Sequence, residues 1–284
     1  MMIPWPIKIL LKVIIAHLPI PYAWWQKLGV FRHGQMDRAT YAHKIFSIHT
    51  ARAYPDGLPP HLTFLELGPG DSLASCLLTS AHHARHVYLS DVGAFAERRM
   101  DTYRRLADDF SGLGLQVPDL STCDDLEDLL RRCNATYLTH GLADLSPIPD
   151  GSIDFSWSHS VLEHVRRDDV QNLFEILHRI TKPGGFSSHI VDLQDHLNHS
   201  LNNLRFPAKI WEASWFSKAG FYTNRLQAGM IMKIAQDTGF KMIFSERGHW
   251  PHLPLKREQL DPLFQDIDEN ELRTRTFSMF LQRI

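Results

Sequence analysis

Two acidic residues stand where strands should end, with a glycine turn between them. Glu66 lies in the apolar run Phe64–Leu67 and is followed by Gly68, Pro69, Gly70, Asp71 and Ser72; Asp91 ends the run His86–Ser90. Glycines let a backbone approach a ligand with no Cβ in the way. The helix that must follow the turn offers unpaired amides. A carboxylate about 20 residues further on, at the tip of the neighbouring strand, can accept both hydrogen bonds of a ribose diol. This is the chemistry of holding a nucleoside-type cofactor. Asp91 also has a plainer reading, as the cap of a helix starting near Ala94.

Two cofactor types compete for such a turn. A dinucleotide calls for G-x-G-x-x-G to hold its pyrophosphate. Here the pattern is Gly68-x-Gly70-x-Ser72, and Glu66 in front of it would repel a pyrophosphate. An acid there suits a ligand with a positive amino acid head group, such as S-adenosylmethionine (SAM).

The elements that must position these residues alternate between strand and helix from residue 61. Strands are expected at His61–Leu67, His86–Ser90, Thr136–Thr139, Ser152–Ser158, Phe186–Asp192, Phe240–Glu246 and Thr274–Leu281. Helices are expected at Leu73–Ala81, from Ala94 to about Phe110, and at Asp124–Cys133, Asp168–Ile180 and Leu226–Thr238. In Asp168–Ile180, Val170, Leu173, Phe174 and Leu177 share one face. Such alternation makes an α/β, Rossmann-like, doubly wound sheet, with ligands beyond the C-terminal strand ends.

With these pieces in order, the chain resembles the class I SAM-dependent methyltransferases of the small-molecule, type 11-like branch. The resemblance rests on ELGPGDS at 66–72, DLSPIPDGSIDFSWSHSVLEHV at 144–165 and TKPGGF at 181–186, and covers roughly 61–192. It implies a seven-stranded, mostly parallel sheet with an antiparallel last strand. It also implies that Glu66, Gly68, Pro69 and Gly70 hold the methionine part of SAM, with Asp71 and Ser72 completing the cofactor-binding turn. Asp91 would then hold the ribose, with Val92, Leu142 and Ala143 beside the adenine and Ser158 and His159 near the sulfonium. Two positions depart from the pattern. Ser72 replaces a third glycine, which is tolerable if its hydroxyl points away or caps the helix. Leu142 stands where an acid often meets the adenine amino group, a role Asp144 or a backbone carbonyl could take.

Methyl transfer from a sulfonium needs alignment and exclusion of water, and a hydroxyl acceptor needs a general base. His159, His164, and the pair Asp195 and His196 are the candidates, His for its pKa and Asp as an orienter. The chain holds 17 histidines, so each also has a bland reading as a core or loop side chain. No spacing compels a metal site. The connection at about 193–225 reads as a substrate cap. There Trp211, Tyr222 and Arg225 would contact the acceptor, unless they form a small core with salt-bridged arginines, and Asp192 at the end of the preceding strand would join them unless it caps the loop.

Composition bounds the rest. The 284 residues are 44% hydrophobic and 22% charged, with 30 Lys+Arg against 32 Asp+Glu and a formal charge of −2. This is globular composition, with no basic excess to suggest a nucleic acid partner. Three cysteines make no disulfide framework, which fits a cytoplasmic protein. Residues 1–60 read as an N-terminal helical cap or lid on a domain at 61–284. Within that cap Ile7–Leu18, broken by Lys8 and Lys12, is too short to span a membrane. It could pack on the domain, lie on a membrane surface with Trp24 and Trp25 at headgroup level, or serve a homodimer.

The expectation is therefore a SAM-dependent methyltransferase acting on a small molecule, most simply at oxygen of a sugar or secondary metabolite. The alternatives are N- or C-methylation, a nucleotide-dependent oxidoreductase on the same sheet, and a non-catalytic SAM-binding or membrane-associated protein.

Overall fold

The structure, a computed structural model, describes residues 34–217 and 220–284 together with Pro6, Ile7 and Ile9. Apart from Ile7 and Ile9, the expected helix at Ile7–Leu18 and the pair Trp24 and Trp25 lie outside the described residues.

The described chain begins with α1 (Ala39–Ala53) and continues through β1 (Thr63–Leu67), α2 (Ala74–Ala81), β2 (His86–Ser90), α3 (Met100–Gly112), α4 (Leu126–Arg132) and β3 (Ala135–Leu138). A helical turn at Leu142–Leu145 leads to β4 (Ile153–His159), α5 (Val170–Ile180) and β5 (Thr181–Asp192). Short turns then lead to α6 (Ala228–Asp237), β6 (Phe240–His249) and β7 (Thr274–Arg283). The strands form one sheet in the order β3-β2-β1-β4-β5-β7-β6. The first five are parallel, and β7 runs antiparallel to both β5 and β6. The order reverses between β1 and β4, which makes the edge beyond them the place for a ligand.

All five residues of β1 are buried, as a central strand covered on both faces must be. Its side chains alternate between two cores. Phe64 joins Phe46, Leu77, Tyr103 and Trp157 under α1, α2 and α3. Leu65 and Leu67 join Phe174, Leu177, Ile231 and Met279 under α5 and α6. The face of α1 that carries Ala42, Ile45, Phe46 and His49 is buried, so this helix packs directly on the sheet layer. In α4 the Asp125 side chain caps the Asp128 amide at 2.8 Å, and the acids-first, arginines-last order suits the helix dipole.

Three local expectations change. Helix α3 starts at Met100 rather than near Ala94, because the Tyr137 hydroxyl from β3 takes the amides of Phe95 and Ala96 in an extended loop. The capping alternative for Asp91 falls with it, since Arg99 precedes the helix. Residues 182–185 loop out within β5, where the pairing jumps from Ile153–Thr181 to Phe155–Phe186. The segment 193–225 has a core of its own, made by Leu197, Trp211, Phe216, Phe221 and Tyr222, with Ile9 packed against it. Among the described residues no helix is long and apolar enough to cross a membrane.

Candidate active site

Register brings the two predicted acids together. Glu66 pairs with Leu89 of β2 and with Trp157 of β4. One turn further, the Gly70 amide donates to Asp91 Oδ2 at 3.1 Å, and the Val92 amide donates to Asp91 Oδ1 at 2.7 Å. Gly68 and Gly70 both have left-handed φ, +69° and +68°. A Cβ on Gly68 would lie 2.4 Å from Val161 Cγ2, so the turn is closed to any side chain there.

Glu66 is 4% exposed, and burial pushes its carboxyl up to about 7, with nearby Asp91 adding to the rise. Ser75 and Trp157 approach closely enough to temper the rise without completing a well-formed hydrogen bond. Glu66 Oε2 and Ser72 Oγ are buried with no hydrogen-bond partner, so of the two courses open to Ser72 the helix cap is not the one taken. A buried carboxylate and hydroxyl left unsatisfied beside a bare backbone turn fit a polar, positively charged head group, because such atoms are costly without a partner. Pro69 is buried beside them and Asp71 is half-buried.

The residues expected beside the adenine also converge. Val92 is 78% exposed, unusual for a large apolar side chain, and stands next to Asp91. The Gly141 amide donates to the Asp91 carbonyl at 2.9 Å, which brings half-buried Leu142 and exposed Ala143 to the same edge. Asp144 does not face that edge as a ready adenine partner. Its Oδ2 accepts from the Thr139 and His140 amides, both at 2.9 Å, and lies 3.0 Å from His140 Nδ1.

At the end of β4, Ser158 and His159 take opposite faces. Ser158 is buried with Oγ 2.7 Å from His189 Nδ1, while His189 Nε2 lies 2.7 Å from Ser187 Oγ. Burial lowers the His189 pKa to about 3, so this imidazole is neutral. His159 is half-buried on the α1 side. Burial lowers its pKa, and Asp192 opposes that shift. Asp192 Oδ1 accepts from both the amide and the side chain of Gln194 at 3.0 Å.

The other catalytic candidates lie in a different arrangement. His164 Nδ1 is 2.8 Å from the Tyr222 carbonyl, which can only accept, so this nitrogen carries the proton. His164 Nε2 then accepts from His196 Nε2 at 3.1 Å, and the rings stack at 4.8 Å. Both nitrogens of His164 thus brace the loop after β4 against the 193–225 segment. Asp195 needs correcting as a base partner. It is 1% exposed, and its carboxylate accepts the amides of Leu197, Asn198, Ser200 and Asn202 and the Asn202 side chain. It organises its own loop.

Three of the predicted substrate contacts also change role. Trp211 is fully buried, with its indole N–H donating to the Thr223 carbonyl at 2.7 Å. Tyr222 is 5% exposed and donates to Glu212 Oε2 at 2.9 Å. Arg225 donates to the Phe206 carbonyl at 2.7 Å and pairs with Glu212 at 3.3 Å. Aromatic count and arginines marked this segment as unusual, but Trp211, Phe216, Phe221 and Tyr222 fill its own core and Arg225 pairs with Glu212 inside it. Sequence reasoning missed His49, His189 and Glu163. Glu163 is buried, its pKa pushed well up by burial, and lines a cavity of about 30 Å³ with Asn203, Thr223 and Arg225. A polar residue on the apolar face of an amphipathic helix was the available signal for His49.

The family described as Methyltransferase domain matches residues 119–188, from the loop before α4 into β5. The strand order is that of a Rossmann-like methyltransferase sheet, and the stretch that matches the methyltransferase family is about a quarter of the chain. No curated protein matches the chain. Similar solved structures include a SAM-dependent methyltransferase from Mesorhizobium loti, 18% identical, covering 82% of this chain and 96% of that one at TM-score 0.44. Geranyl diphosphate C-methyltransferase from Streptomyces coelicolor A3(2) is 16% identical, covering 89% of this chain and 85% of that one at TM-score 0.47. Phosphoethanolamine N-methyltransferase 2 from Haemonchus contortus is 13% identical, covering 84% of this chain and 52% of that one at TM-score 0.46. Among the described residues, no cluster of three or more His, Cys, Asp or Glu is arranged to hold a metal ion.

Proposed function

We propose that the chain methylates a hydroxyl of a small molecule, with His159 as the general base. In this reading Glu66 and the Gly68–Gly70 turn hold the amino acid part of SAM. Asp91 holds the ribose, and Val92, Leu142 and Ala143 flank the adenine. The cofactor supplies an activated methyl: the oxygen–carbon bond forms as the carbon–sulfur bond breaks and its electron pair returns to sulfur. The chain's own task is to place the hydroxyl and take its proton.

The observation that carries the reading is the environment of His159. It ends β4 one residue beyond the Leu67–Ser158 pair, beside the Gly68 turn. Burial keeps it neutral at physiological pH, and Asp192 can stabilise the charge it gains. That combination suits a base poised to accept one proton. The near-zero net charge speaks for a small acceptor rather than a polyanion.

Incubation with methyl-labelled SAM and a fractionated cell extract tests this. Label should enter a low-mass compound as a methoxy carbon, identified by its carbon chemical shift. Label in protein or nucleic acid, or as an N-methyl or C-methyl group, would refute the acceptor assignment.

A further inference from the structure

His49 reaches the site from α1, outside the strands that carry the rest of it. It is fully buried, with Nδ1 2.9 Å from Ser188 Oγ and Nε2 3.4 Å from His159 Nδ1. The two imidazoles meet edge to face, with centroids 5.6 Å apart. We propose that His49 is a positioning residue for methyl transfer: its Nε2 accepts the Nδ1–H of His159, which leaves the His159 Nε2 lone pair for the acceptor hydroxyl. This rests on the assignment of His159 as the base.

Facing ring nitrogens of two neutral histidines share one proton, so two arrangements exist. In one, His159 keeps Nδ1–H, His49 accepts it, and His49 Nδ1–H donates to Ser188 Oγ. In the other, the Ser188 hydroxyl donates to His49 and His49 donates to His159. That leaves His159 with Nε2–H and no lone pair for a substrate. Only the first makes a base.

The charged surroundings direct the proton to the same ring. Asp192 of β5 faces His159 and favours positive charge there. His49 is faced by Arg52 of α1, His189 of β5 and His159 of β4, and all three disfavour charge on it. The acceptor's proton therefore stops on His159 Nε2, and it leaves to solvent from the half-exposed ring. Sulfonium charge disappears as imidazolium charge appears, so the total is unchanged. A merely structural His49 would satisfy Ser188 but would have no bearing on which His159 nitrogen is protonated.

Nitrogen-labelled histidine in the full chain, observed by NMR with and without S-adenosylhomocysteine, tests this. His159→Gln assigns the signal. Wild type should show His159 protonated at Nδ1. In His49→Phe, which keeps a ring without an acceptor, that form should fall by roughly 2- to 10-fold, the worth of one hydrogen bond. His49→Gln, which keeps an acceptor oxygen, should restore it. Wild-type His159 protonated at Nε2, or an unchanged ratio in His49→Phe, would overturn the proposal. Should His49→Phe fail to fold, Ser188→Ala removes the acceptor of His49 Nδ1–H and should shift the same ratio; no shift there overturns it equally. Binding of S-adenosylhomocysteine in these samples is read separately. Its absence in wild type would sink the methyl-transfer reading, whatever the tautomer.

Discussion

The Gly70 amide donates to the Asp91 carboxylate at 3.1 Å, tying the turn after β1 to the tip of β2. The bond orients the carboxylate before any ligand arrives. It also means that a ribose diol would share an acceptor already fixed by the backbone. Preorganisation of this kind lowers the ordering cost of binding.

Glu66 should couple cofactor binding to proton release. Its carboxyl titrates near 7 because burial disfavours its charge. A cationic head group beside it restores the ionised form. At pH 7 binding should then release about half a proton, as linkage requires for a group at its midpoint. Titration calorimetry with S-adenosylhomocysteine in buffers of different ionisation enthalpy measures this. Glu66→Gln should abolish the release. Buffer-independent heats for the wild type would contradict it.

Gly68→Ala should destabilise the fold through two separable costs. A left-handed φ of +69° penalises any Cβ, by about 1–2 kcal/mol. The 2.4 Å approach to Val161 Cγ2 adds a steric term. Val161→Ala in the same chain should recover the second cost but not the first. Denaturant midpoints of the two single variants and the double variant form the test cycle. Strict additivity would show that the clash does not exist.

Acid should weaken the fold through its buried imidazoles. His189 titrates near 3 in the folded chain against 6.5 when unfolded, and burial also holds His49 well below its ordinary value. A depressed folded pKa means stability that is complete above 6.5 and is lost as pH falls toward 3. The loss is about 1.4 kcal/mol per pH unit for one such group. His189→Gln should be less stable than wild type at neutral pH, and the gap should narrow on acidification. Urea unfolding at neutral and mildly acidic pH shows this, and parallel stability curves would refute it.

Trp211→Ala should damage stability rather than cofactor affinity. The side chain is fully buried in the core of the 193–225 segment, and its removal should cost about 3–5 kcal/mol. Limited proteolysis should then cut within that segment, while S-adenosylhomocysteine binding stays within a few-fold. Unchanged proteolysis with lost acceptor turnover would return Trp211 to a direct substrate role.

The edge proposed for the cofactor was legible because backbone demands leave a mark on residue type. Gly68 and Gly70 are needed where φ is left-handed, and Asp91 falls at a strand tip whose limits, His86–Ser90, were read correctly. The start of α3 was not legible, since the Tyr137 hydroxyl that holds Phe95 and Ala96 comes from a strand 41 residues away or more. The same limit applies to 193–225. Its aromatics and arginines announced a special segment, but composition cannot say whether Trp211 faces a ligand or its own neighbours. His49 was hidden for a related reason. Its partners Ser188 and His159 meet it only through the packing of α1 on the sheet.

Titration of the purified full chain with S-adenosylhomocysteine, alongside Asp91→Ala, tests the cofactor site most directly. The wild type should bind with a single saturable heat, and Asp91→Ala should bind at least about 10-fold more weakly, the worth of a charged hydrogen bond to the ribose. No heat from the wild type at millimolar ligand, or equal affinity in the two proteins, would contradict the account.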